Sequence, residues 1–187
     1  MSRFRPLALS LAACISLVGC QSMPGTVDGQ PAPGMMFTDA DVAGILNTAN
    51  ESEINASNVA LERATNERVR EFAQRMVTDH TSANERLTQI ASANNITLNN
   101  PSLATQIESS ATNTVQTLQQ LEGEAFDRTY MDNQVAMHEW TLRIIDEHLI
   151  PSARDNDLDA LLNEIRPTIA QHLESAREIR SSLGSGM

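Results

Sequence analysis

The sequence predicts an all-α fold, an antiparallel four-helix bundle with one additional shorter helix, on three observations. Aromatic residues make up only 3% of the 187 residues, and Ala, Leu, Ile, Asn, Glu and Gln are plentiful, a composition that favours helices over the β-branched alternation of strands. Apolar residues recur at helical spacing from Phe37 to Leu183. The breaks between these stripes are brief, so consecutive helices must fold back on one another. With 41% hydrophobic residues the chain can bury a core of ordinary domain size.

The first element is not part of the domain. Arg3 and Arg5 precede an apolar run from Leu7 to Val18, and Leu17-Val18-Gly19-Cys20 closes it. The run is twelve residues long, short of the ~20 needed to span a bilayer, and predicts a signal peptide over 1–19. Its ending resembles the lipobox of bacterial lipoproteins, which implies acylation of the Cys20 thiol and cleavage just before it. Gln21 follows where Asp would stand for inner-membrane retention, so the resemblance implies an outer-membrane anchor with the domain in the periplasm. Cleavage would also remove Cys14, leaving Cys20 as the one cysteine and no disulfide. Residues 20–37 carry Pro24, Gly25, Gly29, Pro31, Pro33 and Gly34 without helical period. They read as a tether, whose sixteen residues 21–36 reach at most ~50 Å at ~3.1 Å per residue, and the Pro and Gly spacing argues against a strand pairing with the domain.

The domain is expected over 38–183, with 184–187 as a tail. Thr38 and Asp41 form a capping-box pattern that opens a helix over 39–63, with Leu46, Glu53, Ser57 and Ala60 on its inner stripe. Asn66 caps a second over 67–95, with Val69, Phe72, Met76, His80 and Leu87 inward. Asn100-Pro101 opens the shorter helix. Continued to Leu149 it would reach ~73 Å, too long for one bundle, so Gly123 is read as its break. A further helix over 124–149 carries Phe126, Tyr130, His138 and Leu142, and Pro151 closes it. The last, over 155–182, carries Leu158, Leu162, Ile169, His172 and Ile179, with Pro167 expected to bend it.

Composition removes several functions. Thirteen cations face 24 acidic residues, and none of the thirteen is Lys. A net charge of −11 argues against nucleic acid, and the lack of Lys removes Schiff-base and P-loop chemistry. No GxSxG, HExxH or CxxC is present.

What remains is a set of ionisable residues on apolar stripes. Glu53, His80, His138 and His172 lie on four different helices, each within about four residues, or ~6 Å, of its helix midpoint. Helix middles share a layer in an antiparallel bundle, so one carboxylate and three imidazoles should converge on its axis. Two readings stand: a site for one transition-metal ion (Zn, Cu, Fe or Mn), or a buried polar layer that specifies register and packing. Asp79, Asp127, Tyr130, Met76 and Met137 are auxiliary candidates for the first. Asp127 lies ~16 Å along the axis from His138, too far to ligate the same ion, and reads rather as an N-terminal helix charge or cap. His148, near a helix end, is expected to be peripheral.

The segments Glu53-Ile54, Asn66 with Val69, Phe72 and Ala73, Met76-Val77 with Asp79-His80, Gly123, Phe126-Asp127 with Tyr130, His138 and His172-Leu173 resemble the pattern of the domain of unknown function 4142, over about residues 38–183. The resemblance implies a ferritin-like bundle, export and outer-membrane association, and no known reaction. Ferritin-like carboxylate enzymes place Glu-x-x-His on two helices. Here Val77, Val135 and Ile169 stand three residues before the histidines, which disfavours a di-iron site. The functional expectation is an envelope-anchored lipoprotein with a noncatalytic binding or stress-related role and an unidentified protein partner. The alternatives are a metal-binding or metal-buffering protein, and then a metal-dependent oxidase.

Overall fold

The computed structural model describes residues 36–183, and by backbone alone the pairs 26–27 and 30–31. The expected signal peptide, Cys20 and the tail 184–187 lie outside the described residues. Within the tether, β1 (Thr26–Val27) pairs antiparallel with β2 (Gln30–Pro31). Neither strand pairs with the helical domain.

The domain is all-helical: α1 (Asp39–Arg63), α2 (Glu67–Ala93), α3 (Ser102–Gln119), α4 (Gly123–Ile144), a π-helical turn (Ile145–Leu149), α5 (Ile150–Ser152) and α6 (Asn156–Ser182). Local chemistry explains most of the boundaries. Thr38 Oγ1 accepts from the Asp41 amide at 3.2 Å while the Thr38 amide donates to Asp41 Oδ2 at 3.0 Å, a complete capping box. The Asp155 carboxylate takes the amides of Asp157 and Leu158 at 3.1 and 3.0 Å and starts α6. Gly123 breaks the chain at φ 57°, a left-handed conformation that glycine adopts without strain. α6 runs through Pro167 without a break.

Buried apolar residues form two clusters. One joins Ile45 of α1, Leu87 of α2, Leu103 of α3, Ile144 of α4 and Leu158 of α6; the other joins Ala60, Phe72, Leu118, Phe126 and Ala176 of the same helices. Each helix thus crosses from one cluster to the other, α1, α3 and α6 in one direction and α2 and α4 in the opposite one. Between the clusters lies a polar layer. No helix among the described residues is long and apolar enough to cross a membrane.

The segment expected as one helix to Leu149 instead widens into the π-helical turn, in which the Ile150 amide donates to the Ile145 carbonyl. The inserted residue widens the inward face, so that Ile145, His148 and Leu149 are all buried. His148 lies away from the polar layer, as expected, yet it is buried: its ring stands edge-on to Phe37 with centroids 6.4 Å apart, beside the apolar cluster at that end.

Candidate metal centre

His80 on α2, His138 on α4 and His172 on α6 meet in the polar layer, each at most 7% exposed. The helical rise puts them at one height; packing turns them toward one another. Their ring centroids are 5.5 to 6.0 Å apart. Each ring offers one nitrogen to a group whose members all lie within 4.8 Å of one another.

The other nitrogen of each ring is tied to an oxygen. His80 Nδ1 lies 2.9 Å from Asn50 Oδ1, and the Asn50 amide is oriented by donating through Nδ2 to Asn84 Oδ1 at 2.7 Å. His138 Nδ1 donates to the carbonyl of Gln134, one turn back on α4, at 2.9 Å. His172 Nε2 lies 2.8 Å from Asp79 Oδ2. An oxygen acceptor on one ring nitrogen places the proton there and leaves a bare lone pair on the other. Those others, Nε2 of His80, Nε2 of His138 and Nδ1 of His172, are buried and have no hydrogen-bond partner. Oxygen-held outer nitrogens with free inner lone pairs are what metal-ligating imidazoles require. A tetrahedral ion at ~2.0–2.1 Å from each nitrogen would set them ~3.4 Å apart, within reach of small side-chain rotations.

Burial disfavours the charged form of two of the rings. Burial, with the neighbouring His138 and His172 adding to it, holds His80 well below the usual imidazole range. Burial pushes His172 down to about 4 against the opposing pull of its bond to Asp79. In the unfolded chain the same group titrates near ~6.5. A base with a depressed folded-state value contributes stability that is complete above the unfolded value and is lost as pH falls toward the folded one. The metal-free protein is therefore expected to lose on the order of 3 kcal/mol from His172 between pH ~7 and ~4, with His80 acting in the same direction. Urea midpoints in chelator across that range measure it, and a flat profile would show that water reaches the rings.

Glu53 is in the layer but not in the group. Its Oε2 accepts from Gln134 Nε2 at 2.7 Å, and its Oε1 is 4.0 Å from His138 Nδ1, the nitrogen already given to the backbone. It approaches the outer side of the ring, so the expectation of a fourth converging ligand gives way to a carboxylate standing behind His138. Asp79 stands likewise behind His172. Tyr130 lies in the apolar cluster with Phe72 and Phe126, its hydroxyl 2.9 Å from Ser57 Oγ, and burial pushes its ionisation far above the ordinary value. Asp127 is a cap for another helix: its carboxylate takes Thr65 Oγ1 at 2.6 Å and the amides of Thr65 and Asn66 at 3.1 and 2.9 Å, at the start of α2. Met76 packs in the Phe72 cluster and Met137 lines a groove beside α3. The partner that sequence reasoning missed is Asn50; its signal was a polar side chain one helical turn before Glu53.

The family model described as Domain of unknown function (DUF4142) matches residues 25–179. No curated protein and no solved structure matches the chain.

Proposed function

The chain belongs to the family described as Domain of unknown function (DUF4142), and on that premise we propose that it is an envelope-anchored lipoprotein whose helical bundle binds one divalent transition-metal ion through His80, His138 and His172. The observation that carries this reading is the set of three buried ring nitrogens without partners, each on an imidazole whose other nitrogen is held by an oxygen. A layer serving only to set register would satisfy its own polar atoms, because each buried orphan costs ~1–3 kcal/mol. Glu53 supports the same reading. It is a buried carboxylate that accepts from Gln134 Nε2 and stands 4.0 Å from His138 Nδ1, and a cation bound in the layer would offset it. A divalent ion would be offset by two outer carboxylates, Glu53 behind His138 and Asp79 behind His172. Three imidazoles suit Zn, Cu or Fe better than the oxygen-seeking Mn.

The bundle reading assigns α1, α2, α6 and α4 to the four corners, neighbours antiparallel, with α3 as the crossover that lets α2 and α4 run in the same direction. One long crossover is the ferritin-like connectivity. Attachment to the outer membrane rests on lipidation of Cys20, with residues 21–37 as the tether and the domain in the periplasm.

Two measurements test the proposal. Protein stripped of metal and reloaded with Zn, Cu(II), Mn(II) or anaerobic Fe(II) should hold one of them stoichiometrically by elemental analysis; failure with all four sinks the metal site. Labelled palmitate should enter the wild-type chain and not Cys20→Ala, and equal incorporation sinks the anchor.

A further inference from the structure

His80 and His172 also line a cleft between α2 and α6. It encloses about 210 Å³, with Asp79, Thr168, Arg86 and Glu164 among its walls. The two histidine side chains are buried, whereas Arg86 and Glu164, joined as an ion pair, are 41% and 61% exposed. The histidines therefore form the floor and the ion pair stands at the mouth. The opposite side of the layer is closed: the Phe72 ring stands edge-on to His138 with centroids 6.5 Å apart, and Glu53 and the Gln134 carbonyl occupy the outer side of His138.

Three protein nitrogens leave one tetrahedral position unfilled. Structural zinc sites close all four positions with side chains, whereas sites that handle an external ligand use three and leave one open. Glu53, the residue that could have supplied a fourth ligand, faces away from the free nitrogens. We infer that the ion's fourth position opens into the α2–α6 cleft and takes an exchangeable small ligand from solvent, of the class of monodentate anions. This inference rests on the metal reading above.

The chemistry of the surroundings fits that class. Imidazoles coordinate in their uncharged form, so the ion would keep its full charge toward an incoming anion, while Glu53 lies behind His138 and Asp79 of the cleft wall is held on the outer nitrogen of His172. Arg86 offsets Glu164 at the mouth, so the charge that draws the anion is the ion's own. The volume has room for several water molecules at ~30 Å³ each, so a triatomic anion can enter without displacing a helix.

The test uses the lipoprotein in detergent, stripped and reloaded with cobalt(II), whose visible bands report coordination directly, titrated with sodium azide. The expected result is a saturable one-site spectral change with cobalt stoichiometry unaltered. Thr168→Trp, which fills the cleft from α6, should retain cobalt and weaken azide at least ~tenfold. Arg86→Gln should retain cobalt and weaken azide less. Cobalt bound with a spectrum indifferent to azide would overturn the open position and leave the metal reading standing. An azide response unchanged in Thr168→Trp would overturn the cleft as its route. If Thr168→Trp does not fold, the wild-type titration decides the open position and Arg86→Gln the route, where unchanged azide affinity overturns it. Failure to take up cobalt, zinc, copper or iron would bring down both readings.

Discussion

Zinc added to the stripped protein at pH ~7.5, where the imidazoles are neutral, is expected to raise its melting temperature by about 5–10 °C once free metal reaches a hundred times the dissociation constant. Binding to the folded state alone contributes ~2.7 kcal/mol at that ratio, and a domain of this size converts each kcal/mol into ~2–4 °C. His138→Ala should abolish the rise, because it removes one of three nitrogens and two imidazoles hold an ion poorly. His148→Ala should leave it intact: that ring is buried beside Phe37 in the apolar cluster formed by residues such as Ile45 and Leu158. Glu53→Gln should keep the stoichiometry but weaken affinity ~10–100-fold, the usual loss when a group behind a ligand is changed. A purely structural layer predicts the reverse pattern, with no metal-dependent shift in the wild type and a destabilised His138→Ala. Equal melting temperatures across zinc, copper, manganese and anaerobic iron(II) would settle for that alternative.

Gly44→Ala should be the most damaging single-methyl change in the domain, at about 3 kcal/mol or more. Its sign is what makes it informative. In an ordinary helix interior, Gly to Ala stabilises by ~0.5–1 kcal/mol. At position 44, a Cβ would stand 1.8 Å from the carbonyl oxygen of Asn99 and 2.9 Å from its carbonyl carbon. Those are backbone atoms and cannot rotate away. The Asn99 segment is pinned there by its amide, which donates to the Ala40 carbonyl at 3.0 Å, and by its side chain, which donates to Asp41 Oδ1 at 2.9 Å. The methyl group must therefore push the α2–α3 connection off α1. Chemical denaturation of the metal-free variant measures the cost, and a stabilised Gly44→Ala would show that the loop does not rest on the helix.

Both predictions depend on features of different legibility. Start points such as Thr38 with Asp41 and Asp155 were readable because a cap is a contact between residues two or three apart, and the sequence states that distance directly. The height of His80, His138 and His172 was readable too, since a fixed rise per residue converts position along a helix into position along the axis. The sequence by itself therefore determined that the chain is helical, where its helices begin, and that three imidazoles share a layer. It could not determine which nitrogen of each ring faces inward, that Glu53 stands behind His138 rather than beside it, that Asp127 caps α2 from 61 and 62 residues away, that Gly44 receives the Asn99 carbonyl, or that the helix widens into a π-helical turn at Ile145. Each of these depends on ångström-scale offsets and rotations between helices, set by how side chains of distant segments interdigitate. A helical period assigns a residue to a face; only tertiary packing decides what that face meets.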